Sequence, residues 1–329
     1  MDAELLLVDA RHLLWRAASV FFDLHIENKD GTTSATGGIY GFLRIAMSTR
    51  FRFGGKVIAC WDLPEGPTER RKLYDQYKNR PSKPKTDKPH APTRYAPDGI
   101  TGEYNAADRA RPQTVEREVM IEQMREQEIV LKRLLSMLGM LQASSRGWEA
   151  DDVIATLATR HHSHTIGILS GDRDLIQLVT ATTQLIRPLP KGLFDVMDPD
   201  KVRTDMGITP AQVLDLKALA GDPGDNIPGA KGIGPVTATK LIQEHKTWRQ
   251  ALIWAQTTNS TQTAVAKKLI ASEAEIEMSA QLAMLNRKAP LDFIEPAKDA
   301  KRVLFEMARL KFTSLLQDGR REQLMALGD

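Results

Sequence analysis

Nine carboxylates are spaced along this chain so that they could gather into one site: Asp9, Asp62, Glu149, Asp151, Asp152, Asp172, Asp174, Asp222 and Asp225. Most follow an apolar run, as in LLLVD, VIACWD and IGILSGDRD, where a parallel strand would end. In an open α/β sheet, ligands collect outside the carboxyl ends of the strands, so acids from several strands can converge there. Converging carboxylates repel one another unless a cation sits among them, and the pattern therefore asks for divalent metal. Magnesium takes carboxylates plus retained waters, and two ions about 4 Å apart can clamp an in-line phosphoryl displacement. The chemistry to expect is metal-dependent hydrolysis of a phosphodiester.

Taken singly, each Asp is an ordinary helix cap or turn residue. Taken together the set resists that reading, because Glu149, Asp151 and Asp152 crowd one helix start where a cap needs a single oxygen. Other chemistries lack their residues. His161, His162 and His164 have no paired cysteines to make a zinc site, and no G-x-x-x-x-G-K-[ST] loop is present for nucleotide hydrolysis. The one cysteine, Cys60, lies in an apolar run and reads as a small buried hydrophobe in a protein of a reducing compartment.

Two further segments suit a polyanionic substrate. Gly221 to Ile242 reads GDPGDNIPGAKGIGPVTATKLI, a Gly-rich turn that opens a helix. Its glycines would let backbone approach a phosphate, and the first helix amides would supply oriented donors without reading bases. Gly229, Lys231, Gly232, Ile233, Gly234 and Lys240 are the candidate contacts of this helix-hairpin-helix clamp. Between Arg70 and Arg94 lie nine Lys or Arg residues, opposed only by Asp75 and Asp87. Tyr74 and Tyr77 interleave with Arg71, Lys78 and Arg80, a mixture suited to stacking and charge on a single strand.

The elements that must position these residues follow a βαβ rhythm. Glu4 to Asp9, Lys56 to Trp61 and Thr165 to Ser170 read as buried strands, with a shorter one near Met140. Arg11 to Phe22, Gly37 to Arg52, Pro67 to Lys78, Thr114 to Leu138 and Glu149 to His162 read as helices. The expected class is α/β, a mostly parallel central sheet flanked by helices, over residues 1–200. A proline-rich insertion occupies about 79–113. Beyond 201 the strand signals fade, and 201–329 reads as a helical part with the hairpin at 221–245 and a partly amphipathic C-terminus. Hydrophobic content of 42% and a net charge of +3 are ordinary for a soluble globular chain. No apolar run approaches the ~20 residues of a membrane span, and the N-terminus opens directly on a strand rather than a signal peptide, so a cytoplasmic, monomeric protein is expected.

These motifs resemble the 5′ nuclease or flap endonuclease family, in particular the 5′–3′ exonuclease domain of bacterial DNA polymerase I and its stand-alone phage relatives. The segments LLLVDARHLLWR, RRKLYDQYKNR, GWEADD, GDRD and GDPGDNIPGAKGIG carry the likeness. The resemblance implies a PIN-like nuclease core, two Mg²⁺ ions for which Mn²⁺ can substitute, and a K⁺ ion at the hairpin. It implies that Asp9, Asp62, Glu149, Asp151 and Asp152 hold the catalytic ion, and Asp172, Asp174, Asp222 and Asp225 the second. It makes Lys78 the lysine on the scissile phosphate, with Arg70 offsetting charge, Arg16 holding a phosphate and Tyr77 stacking on the terminal base. Its substrates would be DNA with 5′ flaps, ends or nicks, met beside replication proteins in a bacterial or phage-infected cell. Three features depart from the pattern: Ala10 replaces a glycine, Arg80 stands one residue closer to Lys78, and the loop at the place of the helical arch is longer and richer in proline. A PIN-like ribonuclease and a catalytically silent branched-DNA binder are the competing readings.

Overall fold

The computed structural model describes residues 2–28, 30–79, 117–257, 263–317 and 319–329. Arg80 and nearly all of the expected arch-like insertion therefore lie outside the described residues. In chain order the first half comprises β1 (Ala3–Asp9), α1 (Ala10–Val20), β2 (His25–Glu27), β3 (Thr33–Ala35), α2 (Gly37–Phe53), β4 (Gly54–Trp61), α3 (Thr68–Leu73), α4 (Arg117–Met137), β5 (Leu141–Ser144) and α5 (Ala150–Arg160). The second half comprises β6 (Ile166–Leu169), β7 (Thr183–Pro188), β8 (Phe194–Met197), α6 (Pro199–Met206), α7 (Val213–Ala220), α8 (Pro235–His245), α9 (Trp248–Gln256), α10 (Ala264–Ala271), α11 (Glu273–Ala283), β9 (Asp292–Ile294), α12 (Ala300–Arg309) and α13 (Arg320–Met325).

The sheet runs β8-β7-β6-β1-β4-β5-β9. Its five inner strands are parallel, and the edge strands β8 and β9 are antiparallel to their neighbours. The run Leu5-Leu6-Leu7-Val8 is apolar without alternation because β1 is covered on both faces. Leu5 and Leu7 join a core with α5, α7, α8 and α9, whereas Leu6 and Val8 join one with α1, α2 and α4. The α/β class with a helical second part is thus as expected, and the helical part shares one continuous core with the sheet.

Several elements differ from the sequence reading. The helix expected over 67–78 ends at Leu73, since Tyr74 is extended and packs with Tyr77 against Ile227 and Leu282. Lys78 has φ +53 and its backbone N–H donates to Asp225 O at 3.0 Å, so this stretch is fastened to the turn after α7. The small β2–β3 hairpin and the strands β7, β8 and β9 carry too few alternating apolar residues to announce themselves.

The last residues do not belong with the helical part. β9 pairs with β5, and Val303, Met307, Leu310 and Phe312 pack against Leu131, Leu134 and Leu138 near α4. The tail closes the sheet's edge and one of its faces, which is what the apolar stripe of α12 is for.

Candidate active site

Asp9 ends β1, Asp62 follows β4, Ser170 and Asp172 follow β6, and Asp151 lies in the first turn of α5. With Arg11, His12, Trp15, Lys78, Glu149 and Ala150, the four aspartates line a cleft of about 240 Å³ at the carboxyl edge of the sheet, and Ser170 lies buried beneath. The individual caps are real as well. Asp9 is the N-cap of α1, accepting from His12 N at 3.3 Å, and Asp62 accepts from Ala150 N at 2.9 Å. Each of these bonds engages one oxygen of its carboxylate. The second oxygen of Asp9 accepts from Ser170 Oγ at 2.7 Å, and Ser170 Oγ in turn accepts from Asp172 N.

At this end burial and mutual repulsion outweigh the nearby cations Lys78 and Arg11. Burial first, then Asp62 and Asp172, pushes the Asp9 carboxyl up to about 7. Burial and the neighbouring Asp172 and Asp9 hold Asp151 well above the carboxylate range, and burial raises Asp62. Hard oxygen donors that cannot all ionise together suit a divalent cation, which would relieve both the repulsion and the desolvation.

Asp174, Asp222 and Asp225 form the other acidic pole, with one oxygen from each within 4.8 Å of the others. Lys217 bridges this pole, bonded to Asp174 and, at 2.7 Å, to Asp222. Burial opposes ionisation of Asp222 but Lys217 outweighs it, so its pKa falls; burial keeps Asp174 and Asp225 raised.

Between the poles runs a buried network. Lys78 Nζ donates to Glu149 Oε1 at 2.5 Å and lies 3.5 Å from Asp225. Tyr77 Oη donates to Glu149 Oε2 at 2.9 Å, and its residue is 3% exposed. Arg70 bonds Asp152 twice, Glu149 once, and the carbonyls of Leu282 and Met284. Burial favours protonation of Glu149, but Lys78 and Arg70 overcome it and keep the group ionised.

Four expectations change on this geometry. Asp152 is fully buried and its oxygens face Arg70, Glu149 N and Asn286 N rather than the cleft. Arg70 has all five guanidinium N–H groups engaged inside the protein, so it braces carboxylates and does not reach for a phosphate. Tyr77 is interior and presents no face for a base, while Tyr74 is half-buried beside it. In the hairpin, Gly229 and Ile233 are buried; their amides, with that of Lys231, bond Ser279 Oγ, Ala230 O and Ser272 Oγ. Gly229 is required by backbone approach, since φ is +62 and a Cβ would stand 2.2 Å from Gly221 N. Lys231, Gly232 and Gly234 are exposed just before α8, Lys240 is exposed midway along it, and Arg71 is exposed on α3. Arg16 is half-buried on α1, one turn beyond His12.

Lys217, Ser170 and His12 were not singled out from the sequence. Ser170 was visible as the polar end of a strand and His12 as the residue three beyond Asp9. Lys217 offered only its place five residues before Asp222.

Carboxylates at the ends of parallel strands, with a lysine among them and a Gly-rich hairpin beside them, define a metal-dependent nuclease. Family models agree: "5'-3' exonuclease, N-terminal resolvase-like domain" matches residues 108–207 and "5'-3' exonuclease, C-terminal SAM fold" matches 208–303. A 5'-3' exonuclease of Bacillus subtilis is 30% identical over 294 residues, covering 88% of this chain and 85% of that protein. The thermostable DNA polymerase I of Thermus thermophilus is 30% identical over 326 residues, 96% of this chain but 33% of the polymerase. The chain thus spans about a third of the polymerases it matches. Among solved structures, the phage T5 D15 protein co-crystallised with metal ions superposes with a TM-score of 0.59 at 17% identity, covering 99% of both chains. Flap endonuclease-1 from Methanococcus jannaschii superposes at 0.54 and 14% identity over 99% of this chain and 93% of that one. The chain belongs to the 5'-3' exonuclease family. Among the described residues, no helix is long and apolar enough to cross a membrane.

Proposed function

We propose that the protein is a structure-specific 5′ nuclease that hydrolyses DNA phosphodiesters at 5′ ends and flap junctions. The observation that carries this reading is the cleft where Asp9, Asp62, Asp151 and Asp172 converge beside Lys78. These four would hold one divalent ion, Mg²⁺ with Mn²⁺ as substitute, and Asp174, Asp222 and Asp225 would hold a second. Such ions activate water and neutralise charge on the reacting phosphate.

The chain's own residues divide the remaining work. Lys78, half-buried at the cleft mouth, can exchange Glu149 for a phosphate oxygen, while Glu149 stays fixed by Tyr77 and Arg70. Arg16 on α1 would hold a neighbouring phosphate. Gly232, Gly234 and the first amides of α8, flanked by Lys231 and Lys240, would grip duplex backbone without reading sequence. A monovalent ion at the hairpin would have to share it with Lys268, whose Nζ already donates to Gly232 O at 3.0 Å. We place the protein in the cytoplasm as a monomer acting near replication proteins. The exposed hairpin favours a DNA duplex over the RNA of a PIN-like ribonuclease, and the crowded, buried acids favour an enzyme over a silent binder.

The test is a 5′-flap DNA labelled on the flap strand, incubated with Mg²⁺ and separately with EDTA. Cleavage at the junction with metal alone supports the reading. Tight binding without cleavage in Mg²⁺ or Mn²⁺ would overturn it in favour of the silent binder, and preference for an RNA flap in favour of the ribonuclease.

A further inference from the structure

Lys217 stands in the last turn of α7, five residues before Asp222, and its side chain is 12% exposed. Its ammonium meets two of the three carboxylates of the Asp174 pole. The Asp9 pole is built otherwise. The bonds made there by Asp9 and Asp62 come from neutral donors, namely Ser170 Oγ and the amides of His12 and Ala150. Arg11 lines that pole but commits its guanidinium to Glu128 at 3.0 and 3.2 Å.

The two acid clusters therefore differ in what bonds their carboxylates: neutral donors at Asp9 and Asp62, with Lys78 bonded to Glu149 nearby, and a buried ammonium at Asp174 and Asp222. An ammonium bonded to these carboxylates occupies an acceptor position on each and repels a divalent ion placed beside it, so the two cations compete there. We propose that Lys217 is an internal counter-ion that holds the Asp174 pole together without metal and competes with the divalent ion for it. The poles then load unequally. The Asp9 pole fills first, and the second fills only as Lys217 releases at least one carboxylate. This inference rests on the reading of the cleft as a metal centre, and it adds a residue that sets the affinity of one of its two sites.

The probe is Mn²⁺ alone, titrated into the metal-free full chain without DNA and followed by the electron paramagnetic resonance signal of the free ion. The expected wild-type result is one tight site, abolished by Asp9→Asn, and one weaker site. Lys217→Met should tighten the weaker site about tenfold or more while leaving the tight one unmoved, because it deletes the competitor and keeps the stem. Lys217→Arg, which retains the charge, should keep the weak site weak. Removing the counter-ion should also lower the melting temperature in EDTA and enlarge the rise that Mn²⁺ produces. If Lys217→Met cannot be purified without metal, Lys217→Gln, neutral but still a hydrogen-bond donor, is titrated in its place. An unchanged or weakened second site in the neutral variants would overturn the proposal while leaving the metal centre standing. The absence of any saturable Mn²⁺ binding in the wild type would overturn both.

Discussion

The guanidinium of Arg70 holds the carboxylate of Asp152 by two bonds of 2.5 and 2.8 Å, and neither side chain is more than 6% exposed. The remaining donors of Arg70 reach Glu149 on the cleft side and the carbonyls of Leu282 and Met284 at the C-terminal end of α11. This pair thereby ties the start of α5, which carries the acids, to the helical part that carries the hairpin. Removing the arginine would leave Asp152 buried without a counter-charge. Arg70→Ala should therefore cost about 3–5 kcal/mol of folding stability by denaturant titration. A residue that served only to contact phosphate would instead leave stability unchanged and raise KM.

Lys78 is the cation whose position allows a different outcome. It is half-buried, bonded to Glu149, and held in a left-handed backbone conformation by the turn at Asp225. Lys78→Ala should lower the single-turnover cleavage rate by roughly 10²–10³, the usual loss for one donor aimed at developing charge. The dissociation constant for flap DNA, measured in Ca²⁺, should move far less. A loss confined to binding would assign Lys78 to grip rather than to chemistry.

What could be read from the sequence was the part governed by local pattern. Apolar runs ending in acid located β1, β4 and β6, and with them Asp9, Asp62 and Asp172 at the carboxyl edge. The sequence could not separate the acids facing the cleft from the one facing inward, because Asp151 and Asp152 differ only by a rotation about α5. Asp152 turns toward Arg70 from another element, 82 residues away in the chain. Tyr77 was misjudged for the same reason, since an aromatic in a basic segment suits stacking until tertiary contacts show it buried against Ile227 and Leu282. The edge strand β9 is three residues long and exposed, so it leaves no periodic signal.

The return of the C-terminus to the sheet has its own consequence. Met307 is fully buried among Leu131, Leu134 and Leu138, although more than 160 residues separate α12 from α4. Met307→Ala should destabilise the chain by about 2–5 kcal/mol, as expected for a large-to-small change in a packed core. The loss should appear as a lower midpoint of the transition that reports the β-sheet. If residues 201–329 were an independent helical unit, the sheet signal would melt unchanged.

The acids themselves give the metal-free protein a pH dependence of defined sign. Asp9 binds its proton more tightly when folded, near pH 7, than at its ordinary value of 3.8. Below pH 4 both states are protonated and the site carries no penalty. Between these values the unfolded chain loses the proton first, so stability falls as pH rises, and the full penalty is present above about pH 7. At ~1.4 kcal/mol for each tenfold change in proton affinity, that penalty is on the order of 4 kcal/mol at most. Asp151 and Asp62, raised by the same burial, act in the same direction. Asp9→Asn keeps the shape without the charge, so its melting temperature in EDTA should exceed that of the wild type by roughly 5–10 °C at pH 8 and converge with it near pH 4. Saturating Mg²⁺ should reverse the order at pH 8, since the ion needs the carboxylate that the variant lacks. A wild type that melts above Asp9→Asn at pH 8 in EDTA would mean that Asp9 is compensated by protein groups, and the cleft would lose its main argument for metal.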